Sequence, residues 1–404
     1  MDFISQYSLA NSGTDVPIRF TRWSAIALLS ATIGRRLYID HHHFVIYPWL
    51  YYCLVGDSSS GKSTAMKAAK RMFTRCFPTF PTGVSVTSRE DIVKFMSSEA
   101  CSQYYTDEDG TSIEWKPLAQ FVNELSNFMS FNPSSMIEFL TDIFDERDTW
   151  SSSTIKRNKE EIVRPFVALL ACTVPDYIIR TFKASVIGGG FSRRIIFVYE
   201  DGFVEERTTF PEKSQAAQDA EIWCDAHLTS IAQKSAVQAT WTEDARSFLI
   251  EWNRNRPFSN DPVLAGYHNS KDITVQKIAM CLAYAQPELN PLLTVETIET
   301  AIALLEANED NLPKLTVAAG RNELAFSQMK LVQLVDRTEV GITLRLFHTF
   351  ASKEMNEQEY NSTLAMLRHT EQLFVYVLPN RGEIIVSPRQ KVILTDSGAI
   401  PKPS

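Results

Sequence analysis

With 404 residues, 44% of them hydrophobic and 22% charged, the chain is long enough for two to three domains and has the composition of a globular protein. A net charge of −8 excludes a protein that holds nucleic acid through overall basicity, so any such contact must come from a local patch. The six cysteines are scattered with no C-x-x-C pair, which predicts buried free thiols in a reducing compartment.

Residues 1–45 read as a helical lead-in. Its apolar run WSAIALLSATIG, 23–34, is shorter than the roughly 20 residues that span a bilayer, so a packed helix in a cytosolic protein is expected, with no membrane partner. His41-His42-His43 sits in an extended stretch, where successive side chains alternate faces, and a polar strand entry suits it better than a shared metal. IYPWLYYCLV, 46–55, is rich in aromatic and β-branched residues and predicts a buried strand. A loop of Gly and Ser follows, then a helix over 64–76. TSREDIVKFM, 87–96, opens a helix with Thr87 and Glu90 at capping-box spacing. IEWKPLAQFVNEL, 113–125, predicts a second buried strand ending in an acid, and SSMIEFLTDIFDE, 134–146, a periodic helix. Residues 150–174 read as a strand, a charged turn and a longer strand, followed by a helix over 174–186. GGGFSRRIIFVYE, 188–200, is a glycine turn and a further strand. Strands alternating with helices predict an α/β core with a largely parallel sheet over 46–205.

The pattern turns helical over 206–322. Residues 323–392 then read as three helices, the third opened by Asn356 and Glu359, and two strands around Asn380-Arg381-Gly382. That order is the winged helix-turn-helix pattern. The last stretch, 393–404, reads as a frayed tail.

The chemistry concentrates in GDSSSGKST. Gly56, Gly61, Lys62 and Ser63 fit the phosphate-binding pattern G-x-x-x-x-G-K-[ST]. In such a loop, Gly56, Ser58, Ser59, Ser60, Gly61, Lys62, Ser63 and Thr64 would cradle ATP. Lys62 would reach the β- and γ-phosphates, and the Ser63 hydroxyl would hold Mg²⁺. Hydrolysis needs an acid on a neighbouring strand, and Glu124 after LAQFV is the candidate, also as a metal ligand. The residue before it is Asn123, where a motor would normally carry Asp; Asp142 or Asp145 could compensate, or Glu124 could merely cap a turn. Thr173, at the end of ALLACT, could contact the γ-phosphate or the attacking water, although Thr is also an ordinary strand residue. Arg193 and Arg194 follow the glycine turn. Arg193, directly after Ser192, is the preferred arginine finger for a neighbour's site, against ordinary pairing with Glu200 or Asp201. Lys156, Arg157 and Lys159 make a small basic tip on the hairpin 150–171, suited to a DNA backbone or simply to solvent. The third helix of 323–392 is acidic, with Glu357, Glu359 and Glu371 against Arg368. Packing or partner binding therefore suits this domain better than reading duplex DNA.

The order LSATIGRRLYI, YPWLYYCLVGDSSSGKSTAM, NEL, hairpin, LLACTVPDYI, GGGFSRRIIFVYE resembles phage and prophage P-loop ATPases described as helicase- or primase-associated or of unknown function. The hairpin and the Ser-Arg pair are also similar to hexameric AAA+ helicases of the MCM and superfamily 3 type. The resemblance covers roughly residues 20–200, and Asn123 is its clearest departure. It implies an AAA+/RecA-like P-loop core, ATP shared between subunits, and a homo-oligomeric ring, expected to be a hexamer. Such a ring would act on single-stranded DNA or a DNA fork during mobile-element replication in a bacterial cytoplasm. Two alternatives stand beside this: an ATP-dependent assembly switch with little hydrolysis, and a small-molecule kinase, which would leave the winged helix unexplained.

Overall fold

The strands form where β-branched and aromatic side chains cluster, and the helices fill the intervals. In the computed structural model the described residues are 1–404 without 85, 146–147, 155–156, 182–189, 201–211, 258–264, 310–322, 337, 339–340, 354, 379–381, 389–391, 396–397 and 402–404. They form two units, Met1–Pro313 and Lys314–Ser404.

The first unit is mixed α/β. Helices α1 (Phe3–Ala10) and α2 (Ile18–Ile33) lead into β1 (Leu37–Asp40), β2 (Val45–Ile46) and β3 (Tyr51–Val55). Next come α3 (Lys62–Cys76), α4 (Arg89–Ser97), β4 (Gln103–Thr106), β5 (Ser112–Val122), α5 (Leu125–Phe128) and α6 (Pro133–Asp145). The strands β6 (Thr149–Thr154), β7 (Arg157–Val163) and β8 (Pro165–Thr173), the helix α7 (Pro175–Thr181) and β9 (Ile195–Tyr199) follow.

Five strands form one sheet in the order β4-β5-β8-β3-β9. β5, β8, β3 and β9 run parallel, and β4 is an antiparallel edge. Every residue of β3 is buried, as both-face coverage of a parallel sheet requires. Neighbouring residues of β3 show which helix covers which face. The Tyr51 hydroxyl donates to the Leu140 carbonyl of α6 at 2.8 Å, whereas the Tyr52 ring meets Trp23 of α2 with centroids 6.1 Å apart. Phe121 of β5 is level with Leu170 and hence with Tyr52, and its ring contacts Phe73 of α3. So α2 and α3 share one face and α6 lies on the other.

The packed helix expected over 23–34 lies in α2, which is apolar on nearly all sides and buried along most of its length, and α1 packs on the helix Gln215–Ala232. Two expectations change. The cap of α4 is Ser88 with Asp91, one residue later than Thr87 with Glu90. The long strand expected before Thr173 is two, broken at Arg164, whose φ is +42°. Pro165 supplies no N–H and opens β8, a strand-start position where none is needed.

The second unit contains the helices Glu323–Asp336, Leu344–Ala351 and Glu357–His369 and the strands Ile342–Thr343, Phe374–Leu378 and Gly382–Val386. The last of these strands lies central in a three-stranded antiparallel sheet, one strand more than the two expected, because Ile342–Thr343 pairs with Ile384–Ile385 before Thr343 caps the next helix. Phe347, Tyr360, Leu367 and Ile385 belong to its core. Asn356 and Glu359 cap the third helix reciprocally at 2.8 and 3.0 Å, as their spacing predicts. Where a frayed tail was expected, Val392–Thr395 pairs antiparallel with Gly398–Pro401.

Candidate functional site at the carboxyl ends of the strands

Residues 56–61 leave the carboxyl end of β3 and α3 begins at Lys62, so the glycine loop lies between a buried strand and a helix amino end. The Gly56 N–H donates to the Thr173 carbonyl at 3.2 Å, tying the loop to the end of β8. A Cβ on Gly56 would lie 2.6 Å from Ser60 Oγ and 2.8 Å from the Glu200 carbonyl, so only glycine fits. Gly61 has φ +83°, the left-handed region where glycine is unstrained. Ser59 also has positive φ, 70°. Asp57, Ser58, Ser59 and Thr64 are exposed; Ser60, Gly61 and Ser63 are half-buried. A Gly56→Ala variant is expected to fold but to lose at least about tenfold in nucleotide affinity, read by titration with a fluorescent ATP analogue, because the loop must open to admit the methyl group.

Lys62 is buried, 6% exposed, as is Gly56 at the start of the loop. Its Nζ donates to the Asp57 carbonyl at 2.9 Å, and its carbonyl accepts from the Cys172 thiol at 3.3 Å. Glu124 is half-buried, two residues beyond Val122, which is level with Ala171; this brings it to the level of Thr173. Burial pushes the Cys172 thiol up to about 12, with the Lys62 charge lowering it and the Glu124 charge raising it. The thiol therefore feels both candidate groups. Glu124 is extended at φ −142° and opens α5, without a side-chain cap bond. Asn123 beside it is exposed.

Thr173 is fully buried, and its Oγ1 has no hydrogen-bond partner among the described residues; the same holds for Ser60 Oγ. Two hydroxyls left without partners beside a glycine loop are the groups that a phosphate or its water would satisfy. A further cavity of about 390 Å³ adjoins the loop, between Thr64, Lys67 and Arg71 of α3 and Asn11, Thr14 and Val16 of the segment joining α1 to α2. Sequence spacing gave no signal for this wall, because Asn11 and Thr64 are brought together only by the packing of α2 on α3.

The two arginines lie elsewhere. Tyr51 is level with Ile195 and Val55 with Tyr199, so Arg193 and Arg194 stand at the amino ends of the strands, opposite the loop. Arg194 is buried and donates to the Gly190 carbonyl and to Asp145. Arg193 is half-exposed, at 49%, and lies 3.9 Å from Asp145. Asp145 is thereby held at the far end of the sheet and cannot take the place of the missing acid at Asn123. Glu200 pairs with Arg19 at 3.7 Å rather than with either arginine, and Asp201 lies outside the described residues.

β6 and β7 pair antiparallel from Thr149↔Val163 to Thr154↔Arg157, as the hairpin reading requires. Lys156 lies outside the described residues, as do the side chains of Arg157 and Lys159. His41, from the histidine run, bonds Gln276 through its ring at 2.9 Å. Among the described residues, no helix is long and apolar enough to cross a membrane. No protein-family model matches the chain, and no curated protein matches it in sequence.

Proposed function

We propose that the protein is a P-loop ATPase of AAA+/RecA-like type that works as a ring on single-stranded DNA or a DNA fork. The observation that carries this is the glycine loop between β3 and α3, where no Cβ fits at Gly56 and where Lys62, Thr173 and Glu124 converge. The backbone around Ser58–Gly61 and the amino end of α3 would take the phosphates, and the cavity beside Thr64 and Asn11 would take the base and sugar. Mg²⁺ would be held by Ser63 and Glu124 with phosphate oxygens and water completing its shell, as this ion prefers; it would supply charge neutralisation at the β- and γ-phosphates. Lys62 would position the terminal phosphate, Thr173 would hold its oxygen or the water, and Glu124 would orient that water.

Arg193 supports a site shared between subunits. At about 3.3 Å per residue, β9 separates it from its own loop by roughly 15–20 Å, too far for its side chain. It would serve the loop of the next copy. The three-helix, three-stranded unit would be a winged helix that holds a partner or a neighbouring copy, in keeping with its acidic third helix.

A weakly hydrolysing assembly switch is the second reading. It is favoured by Asn123 together with the engagement of Asp145 by Arg194. One experiment separates the two: ATP turnover and particle size measured with and without single-stranded DNA. A motor gives DNA-stimulated turnover by a ring. Nucleotide-dependent assembly with slow, DNA-independent turnover selects the switch, and a monomer under all conditions sinks both.

A further inference from the structure

A second cavity, of about 320 Å³, opens at the amino ends of β3 and β9, at the opposite end of the sheet from the glycine loop. Lys277 lies in its wall. This lysine is on the helix Lys271–Ala283, and its side chain is buried beneath Phe144, with Nζ 4.2 Å from the ring centroid. Its Nζ donates to the Trp49 carbonyl at 3.2 Å, and among the described residues no carboxylate lies within 4.0 Å of it. Arg193 and Arg194 line the same cavity, and among the described residues Asp145 is the one carboxylate lining it, already engaged by Arg194. Among these residues three basic side chains thus face one acid.

The rest of the wall is mostly apolar and aromatic, with Ser270 and Thr274 as its polar members. Tyr47 and Trp49 stack with centroids 4.6 Å apart and planes 6° apart, and the Arg35 guanidinium lies over both at 4.9 and 5.4 Å. Phe44 stands at 41% exposure beside them. Positive charge at the base and apolar aromatic side chains at the side, with Phe44 partly exposed, are complementary to an anion carried on an apolar planar body.

We propose that this cavity binds a small ligand with an oxyanion head, phosphoryl or carboxylate, on a flat apolar body, with Lys277 and the two arginines taking the head. The site stands apart from the glycine loop of its own chain and does not depend on nucleotide binding there; in the proposed ring Arg193 would be shared between this cavity and the loop of the next copy. A buried ammonium with one carbonyl partner is costly, and an anion beside it offsets that cost. In keeping with this, burial pulls Lys277 down to about 7, with Asp145 opposing the shift and Arg194 adding to it.

The test uses the full chain and calorimetric titration with phenyl phosphate and benzoate as probes. One of the two is expected to bind one to one, and which of them binds tighter identifies the head. Lys277→Met is expected to weaken that probe at least about tenfold, with Lys277→Arg recovering part of the loss. Asp145→Asn removes the competing carboxylate from an exposed position and is expected to tighten binding severalfold, a gain that misfolding cannot mimic. Lys62→Ala is expected to leave affinity within about twofold.

Sulfate, whose charge is constant through the neutral range, should bind more weakly as pH rises from about 6 to about 9, because Lys277 loses its proton there. Among the described residues, the charged and titratable groups around that ammonium are Asp145 of α6, Arg193 and Arg194 before β9, Tyr47 in the cavity wall, and Cys281 one turn along its own helix. Lys277→Met should flatten the profile. Absence of binding by both probes at about 10 mM, unchanged affinity in Lys277→Met, or loss of binding in Lys62→Ala would each overturn the proposal.

Discussion

Replacing Lys62 by alanine is expected to lower ATP turnover by at least about 10²–10³, the scale for losing one preorganised donor to a developing oxyanion. The side chain leaves from the first residue of α3, is buried, and has the Asp57 carbonyl as its partner. Alanine keeps the helix start, so the fold should survive, which circular dichroism and thermal unfolding would check. Lys62→Arg is expected to rescue little, because a planar fork does not replace a compact ammonium inside a glycine loop. The measurement is phosphate release at saturating ATP. Turnover within about tenfold of the wild type would remove Lys62 from the chemistry and with it the reading of the loop.

The second large effect falls on Arg193. Arg193→Ala is expected to reduce turnover by about 10³, the lower end of what an arginine supplied to a transferring phosphoryl group contributes. ATP affinity should stay within about threefold, since the residue lies far from its own loop. Stability should change little, because both partners of the Arg193–Asp145 contact are largely exposed, at 49% and 58%. Mixing supplies the sharper test. A Lys62→Ala chain still offers Arg193, and an Arg193→Ala chain still offers Lys62, so mixed assemblies contain complete sites where the two meet in the right order. Recovered turnover on mixing two inactive chains would establish sharing. Two dead variants that stay dead together, under conditions where they co-assemble, would sink it.

What the sequence made legible is local. The strand, loop and helix around Gly56–Ser63 could be read because glycine spacing, a buried aromatic run and a helix start coincide within about 25 residues. The α4 cap was displaced because T-S-R-E-D contains two overlapping cap pairs, Thr87 with Glu90 and Ser88 with Asp91, and periodicity alone does not choose between them. That the run 23–34 packs was legible, but its partners were not, because a helix apolar on nearly all sides carries no stripe to say what it packs against. The cluster of Asp145, Arg194 and Lys277 had no sequence signature, since its members meet only through the sheet register and the packing of distant helices. Asn123 was visible at once as a departure, but only the three-dimensional arrangement removes Asp145 as its substitute.

The bond from Lys62 to the Asp57 carbonyl gives the loop an internal rival for its own lysine. A hydrogen bond from a charged donor contributes roughly 1.5–3 kcal/mol, so an anion that takes Lys62 alone begins about tenfold to a hundredfold behind. A lone phosphate or sulfate has too few contacts to make up that deficit. A triphosphate held as proposed would meet the loop backbone, Ser63 and Lys62 together and could. Discrimination by ligand length would then be set before any base is read, by a single carbonyl five residues upstream of the lysine.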